Sequence, residues 1–152
     1  MTIVRTLALM LVSCSLVTLA VADDGWPQFR GPGGQGNASS SAIPLTWDLE
    51  QHLSWSANVP GKGYSSPIIQ GNRVWVTAAV EFEPTPEQKQ QSLEASRLEP
   101  KDFARRQVAG RVSLRILCFD YSTGERIYET AVAEVESPEA IHVGNSYASP
   151  TP

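Results

Sequence analysis

The residues able to do chemistry are few and scattered. Histidine occurs twice, as His52 and His142. A metal centre gathers His, Cys or carboxylate ligands at short spacings. These two lie far apart, so each is expected to be a hydrogen-bonding group at a surface or turn. His142 is the better candidate for a further role, because it precedes a Gly144-Asn145 turn. Cys118 stands among Leu114, Ile116, Leu117 and Phe119 with no histidine nearby, and a reactive thiolate needs a base or an electropositive neighbour. A buried structural thiol is expected there. Gly31-Pro32-Gly33-Gly34-Gln35-Gly36 spells GxGxxG, but the dinucleotide mechanism requires a strand before it and a helix after it. The flanks are irregular and Pro32 lies inside, so no nucleotide site is expected. A Walker loop is excluded because no lysine follows. Ser65 and Ser66 have no partner base, and the carboxylates form no recognisable acid–base pair. Asn37-Ala38-Ser39 fits a glycosylation sequon, to which no role is given. The sequence nominates no catalytic, cofactor-binding or metal-ligating residue.

The elements that surround these residues read as mostly β. Leu45, Trp47 and Leu49, then Leu53, Trp55, Ala57 and Val59, alternate with polar residues at period two, the pattern of strands with one buried face. Pro60 to Gly63 is a turn. Residues 65–69 and 73–80 read as a hairpin around Gly71-Asn72, whose types suit positive φ. Residues 81–110 break the pattern with Pro84, Pro86, Pro100 and many long polar side chains. A helical insertion is expected over about 86–109, as one helix at 87–98 and a second at 100–109 closed by Gly110. Leu93, Leu98, Phe103 and Val108 would form its weak apolar seam. Residues 112–120 are apolar on both faces, as in a sheet packed between others. Asp120 to Glu125 is a turn with Gly124 in left-handed geometry. Residues 126–135 place Ile127, Glu129, Ala131, Ala133 and Val135 on one face of an outer strand.

The formal net charge is −4 and the pI is about 5.1. A nucleic-acid surface needs clustered Lys and Arg. Here the densest basic spot, Arg105-Arg106, has Glu94, Glu99 and Asp102 nearby. No nucleic-acid partner is expected. Residues 1–22 read as a secretory signal peptide: Arg5, an apolar run from Leu7 to Leu19, then Ala20-Val21-Ala22 as a small-x-small cleavage site. The chain is therefore expected to be exported, to the periplasm or to the cell surface or extracellular space, with no transmembrane helix in its mature part. A second reading of the same segment is a lipobox, Leu11-Val12-Ser13-Cys14, with a lipid anchor on Cys14. Against it, apolar sequence continues past Cys14 where a polar tether is usual. After cleavage at Ala22 only Cys118 remains, so stability must come from packing rather than an internal disulfide. Residues 23–42 form an irregular arm, which Trp26 and Phe29 should pin to the domain while Arg30 stacks on an aromatic ring or pairs with a carboxylate.

One repeat organises the chain. Tyr64-Ser65-Ser66-Pro67 returns as Tyr147-Ala148-Ser149-Pro150, and a unit that restarts where the sequence stops is expected to belong to a longer repeat protein. The pieces SSPIIQGNRVWVT (65–77) and LRILCFDYSTGERIYE (114–129), in this order and spacing, resemble a blade of the PQQ-like β-propeller repeat. That family includes the bacterial quinoprotein dehydrogenases and the outer-membrane β-barrel assembly lipoprotein. Its second piece usually ends in tryptophan, where this chain has Tyr128; the resemblance implies that Trp55 matches the tryptophan of an earlier outer strand. The opening WPQFRGP and closing NSYASPTP also resemble a subgroup of exported bacterial propellers of unassigned role.

The resemblance implies an incomplete all-β propeller over residues 43–152. Its parts would be a ring-closing strand at 53–59, one blade of four antiparallel strands over 65–135, and the start of the next blade at 146–152. A small exported β-sheet domain with a helical excursion is the competing architecture. The implied role is binding or scaffolding among envelope proteins. Two alternatives stay open: a PQQ-dependent oxidoreductase with its active site in further blades, and a lipid-anchored outer-membrane assembly factor. In the dehydrogenases PQQ sits over the axis with calcium, a catalytic aspartate and, in the alcohol dehydrogenases, a disulfide of neighbouring cysteines. Cys118 is alone, and no Asp or Glu here matches those ligands. PQQ and calcium are thus expected only with a longer chain, and blade geometry need not mean cofactor binding.

Overall fold

The structure is a computed structural model and describes residues 25–38 and 44–152. The signal-peptide and lipobox readings at 1–22 lie outside the described residues. Strand residues outnumber helical ones, and the sheets are antiparallel. The strands are β1 (Ile68–Gln70), β2 (Arg73–Phe82), β3 (Arg106–Gln107), β4 (Arg111–Asp120), β5 (Arg126–Glu136) and β6 (Ile141–His142), with one α-helix, α1 (Pro86–Ala95), between β2 and β3. The main sheet has the order β1-β2-β4-β5, and β3 pairs with β6 in a second, two-stranded sheet. The main sheet is thus a meander in chain order, interrupted by the excursion between β2 and β4.

Register makes the two faces of the main sheet explicit. Val74 lies opposite Phe119, Val76 opposite Leu117 and Ala78 opposite Arg115. On that face Val74, Ala78, Leu117 and Phe119 form a buried cluster with Trp55, Ile69 and Val76 against it. The other face buries Ala79 and Val112 with Ala109 and Ala148, and Leu114 and Tyr147 pack on them. The apolar residues read on both faces of 112–120 are therefore buried on both faces. Two bulges oppose β5 to β4, between Leu114 and Arg115 and between Cys118 and Phe119. Each extra residue shifts the phase of β5. As a result Ile127, Val132 and Val135 are exposed, and the single continuous face expected for 126–135 is broken.

Local chemistry explains the turns. Asp120 Oδ1 accepts the N–H groups of Ser122 and Thr123 at 2.9 Å each, and Oδ2 accepts from Asn72 Nδ2 at 2.6 Å. One carboxylate thus ties the β4–β5 turn to the β1–β2 turn. These hydrogen bonds, led by that of the Thr123 backbone, hold its pKa below the ordinary carboxylate value. Gly124 has φ 73°, and a Cβ there would sit 2.6 Å from the Trp55 ring, so both conformation and close approach require glycine.

The expected strands at 45–49 and 53–59 do not form. Asp48 Oδ1 instead accepts the N–H groups of Glu50 and Gln51 at 2.8 Å, and His52 takes φ 64°, so a side-chain-capped turn outcompetes extension. Leu45, Trp47 and Leu49 are exposed. Residues 53–59 take no part in either sheet. Trp55 nevertheless anchors them, donating Nε1–H to Tyr121 O at 2.7 Å.

The strand expected at 65–69 starts later, at Ile68. Pro67 has no N–H for the ladder, and Ser65 supplies a substitute. Its Oγ donates to Thr77 O at 3.1 Å and accepts Thr77 N–H at 3.2 Å. Lys62 continues the line as an antiparallel bridge to Ala79. Trp26 covers the far edge of β1, exchanging both backbone bonds with Ile69 at 2.8 Å. Trp26 thus pins the arm as expected. Phe29 does not, being 59% exposed; Arg30 lies over its ring at 5.4 Å.

In the excursion, α1 begins where Pro86 suggested. Thr85 and Gln88 form a reciprocal capping box, and Glu87 lies in the first turn. The second helix expected at 100–109 is only a 3₁₀ segment, Pro100–Arg105. Arg106 and Gln107 extend to pair with His142 and Ile141, so tertiary pairing overrides helical tendency. Gly110 is then not a helix cap. It donates N–H to Phe82 O at 2.8 Å and leads into β4.

Candidate functional site

The two copies of the repeated tetrapeptide meet. Tyr64 N–H donates to Ala148 O at 3.0 Å, and Thr77 Oγ1 donates to Pro150 O at 3.0 Å. Both copies lie against β2. The clamp formed by Ser65 is not repeated, because Ala148 holds the matching position and has no hydroxyl. Ser149 instead donates to Asn145 Oδ1 and Ser146 O, at 2.7 and 2.9 Å. The proline and serine pattern is structural in both copies, in different ways.

Beside this junction three polar side chains gather around Glu81. Gln107 Nε2 donates to Glu81 Oε2, and Lys62 Nζ lies 3.4 Å from the same oxygen. Glu81 Oε1 is buried with no partner. Tyr147 packs close by and donates its hydroxyl to Glu139 O at 2.9 Å. Burial raises the phenol's pKa and the Glu81 charge adds to the rise, while a hydrogen bond from the Ala109 backbone opposes both. The sequence reading missed this cluster, because its members come from four separated segments.

A second concavity, of about 610 Å³, lies between α1 and residues 137–140, with Arg106 of β3 also lining it. Its walls are pinned. Gln88 Nε2 donates to Ser137 Oγ and Ser92 Oγ to Pro138 O, both at 3.3 Å. α1 buries no residue fully, so these bonds rather than an apolar stripe hold it over the cleft.

The residues singled out for chemistry are not brought together. His142 Nδ1 accepts Gly144 N–H at 3.0 Å, the turn role expected of it. His52 is exposed in the turn after Asp48. Cys118 is fully buried in β4. Gly31 to Gly36 hold only a 3₁₀ turn, Pro32–Gly34. Among the described residues no three His, Cys, Asp or Glu side chains are placed to hold a metal ion.

Fold and site together define an all-β protein of antiparallel sheets with a polar cleft beside its main sheet. Among the described residues no helix is long and apolar enough to cross a membrane. Comparison with protein-family models, curated proteins and solved structures finds no match.

Proposed function

We propose that residues 65–135 are one blade of a PQQ-like β-propeller in an exported bacterial protein, acting as a binding or scaffold module in the cell envelope. The observation that carries this reading is the meeting of the two tetrapeptides. The segment after β5 returns to the edge of β2 where the first copy lies, as a second blade would when it starts beside the first. The meander order and apolar clusters on both sheet faces support it, since a blade stacked between neighbours needs both.

Electron microscopy of the intact natural protein tests the architecture. A ring of blades around a channel is expected, and a sheet with no neighbouring four-stranded sheet refutes it. Titration with PQQ and calcium, followed by dye-linked oxidation, tests the role. Neither binding nor dye reduction is expected; saturable binding with turnover would make the protein an oxidoreductase instead.

A further inference from the structure

The cleft under α1 has a fixed frame and free groups. Gln88 and Ser92 are committed to Ser137 and Pro138, and Ser96 Oγ to Leu93 O at 2.5 Å. Among the described residues, Arg106 and Glu139 line the cleft without an ion-pair partner, and Gln91 makes no hydrogen bond. Arg106 Nε is moreover buried with nothing bonded to it. A buried guanidinium N–H without a partner is costly and needs an explanation. The backbone around it is held on both sides, since Arg106 pairs with His142 and Val143 N–H donates to Arg105 O at 2.9 Å. Glu139 is positioned likewise, its carbonyl accepting the Tyr147 hydroxyl.

The cleft volume falls in the range of small-molecule sites, about 300–1,000 Å³. The helix face turned to it is uncharged at Gln88, Gln91, Ser92, Ala95 and Ser96. A cation, an anion and side-chain amides on one lining match a ligand with both charges and a peptide-like middle. No aromatic side chain lines the cleft, so the stacking platform a sugar ring would use is missing. We propose that this cleft binds a zwitterion, a free amino acid or short unblocked peptide, with its carboxylate on Arg106 and its ammonium on Glu139. The planar guanidinium suits a carboxylate, and Gln91 is free to pair with the amide.

Isothermal titration of the intact natural protein with L-alanyl-L-alanine tests this. The N-acetylated dipeptide and the dipeptide amide serve as comparison ligands. Wild type should bind the dipeptide and lose about tenfold or more in affinity for either blocked form, as loss of a charge-assisted bond implies. Glu139→Gln should bind the free and acetylated dipeptides alike, and Arg106→Gln should bind the dipeptide and its amide alike. Glu139 is exposed, so its substitution decides the matter even if Arg106→Gln misfolds. No binding by wild type that melts cooperatively, equal binding of all three ligands, or Glu139→Gln behaving as wild type would each overturn the proposal.

Discussion

Ser65→Ala isolates one physical idea, that a hydroxyl stands in for a rung of the β ladder. Wild-type Ser65 Oγ satisfies both the carbonyl and the N–H of Thr77, at 3.1 and 3.2 Å, in a half-buried setting. Alanine removes both bonds, and Pro67 cannot replace them. A net hydrogen bond is worth about 0.5–1.5 kcal/mol, and leaving buried partners unsatisfied moves the cost to the upper end. The pair should therefore cost about 1–3 kcal/mol. With an m-value of about 2 kcal/mol/M, the urea midpoint should fall by about 0.5–1.5 M. The assay is equilibrium unfolding followed by tryptophan fluorescence, with Ser66→Ala as control. Ser66 Oγ makes no hydrogen bond among the described residues, so its change should stay within about 0.5 kcal/mol. The reasoning is refuted if Ser65→Ala shifts the midpoint no more than Ser66→Ala does.

Leu117 is fully buried in the cluster that includes Val74 and Phe119, so Leu117→Ala should cost about 2–5 kcal/mol in the same unfolding assay; a loss below about 1 kcal/mol would mean that this face is not packed as described. Asp120 gives a pH dependence. Its folded pKa lies below its ordinary value, so its contribution is present above about pH 4, the unfolded carboxylate value, and is lost as pH falls through the lower folded value. Asp120→Asn should remove that part of the acid-side slope, and an unchanged slope in stability measured from pH 5 to pH 2 would contradict the turn chemistry.

The turns were legible because their signals are local. Gly71-Asn72 and the Asp120–Gly124 run carry their conformations in two to five residues, and both turns stand as read. Strands β2 and β4 were legible because β-branched and aromatic residues in RVWVTAAV and LRILCF resist other conformations. Residues 45–49 and 53–59 carried the same period-two pattern and formed no strand. Alternation states which side chains would share a face, and it does not supply a neighbouring edge. The Asp48 turn was visible in principle, since Asp followed by polar residues is a turn former, but the Leu-Trp-Leu alternation concealed it.

Among the candidate sites, single residues read correctly and constellations did not. His142 and Cys118 occupy the turn and buried positions that their neighbours in sequence suggested. The cluster at Glu81 and the cleft at Arg106 left no trace in the chain order. Arg106 was read as part of a helix and of a basic spot with Glu94, Glu99 and Asp102 nearby. It became a cleft residue only because β6 pairs with β3 and holds it extended.

Composition and short-range pattern alone determined that strand outweighs helix in this chain, that it turns at Gly71 and Gly124, and that it leaves the sheet for a helix that starts at Pro86. Those properties follow from backbone sterics and hydrogen bonds within a few residues. Only the tertiary structure decided which edges are paired, that both tetrapeptides meet on β2, and that an arginine and a glutamate face one cleft. Such encounters depend on contacts between segments distant in the chain, where the energy of pairing, and not local preference, selects the partner.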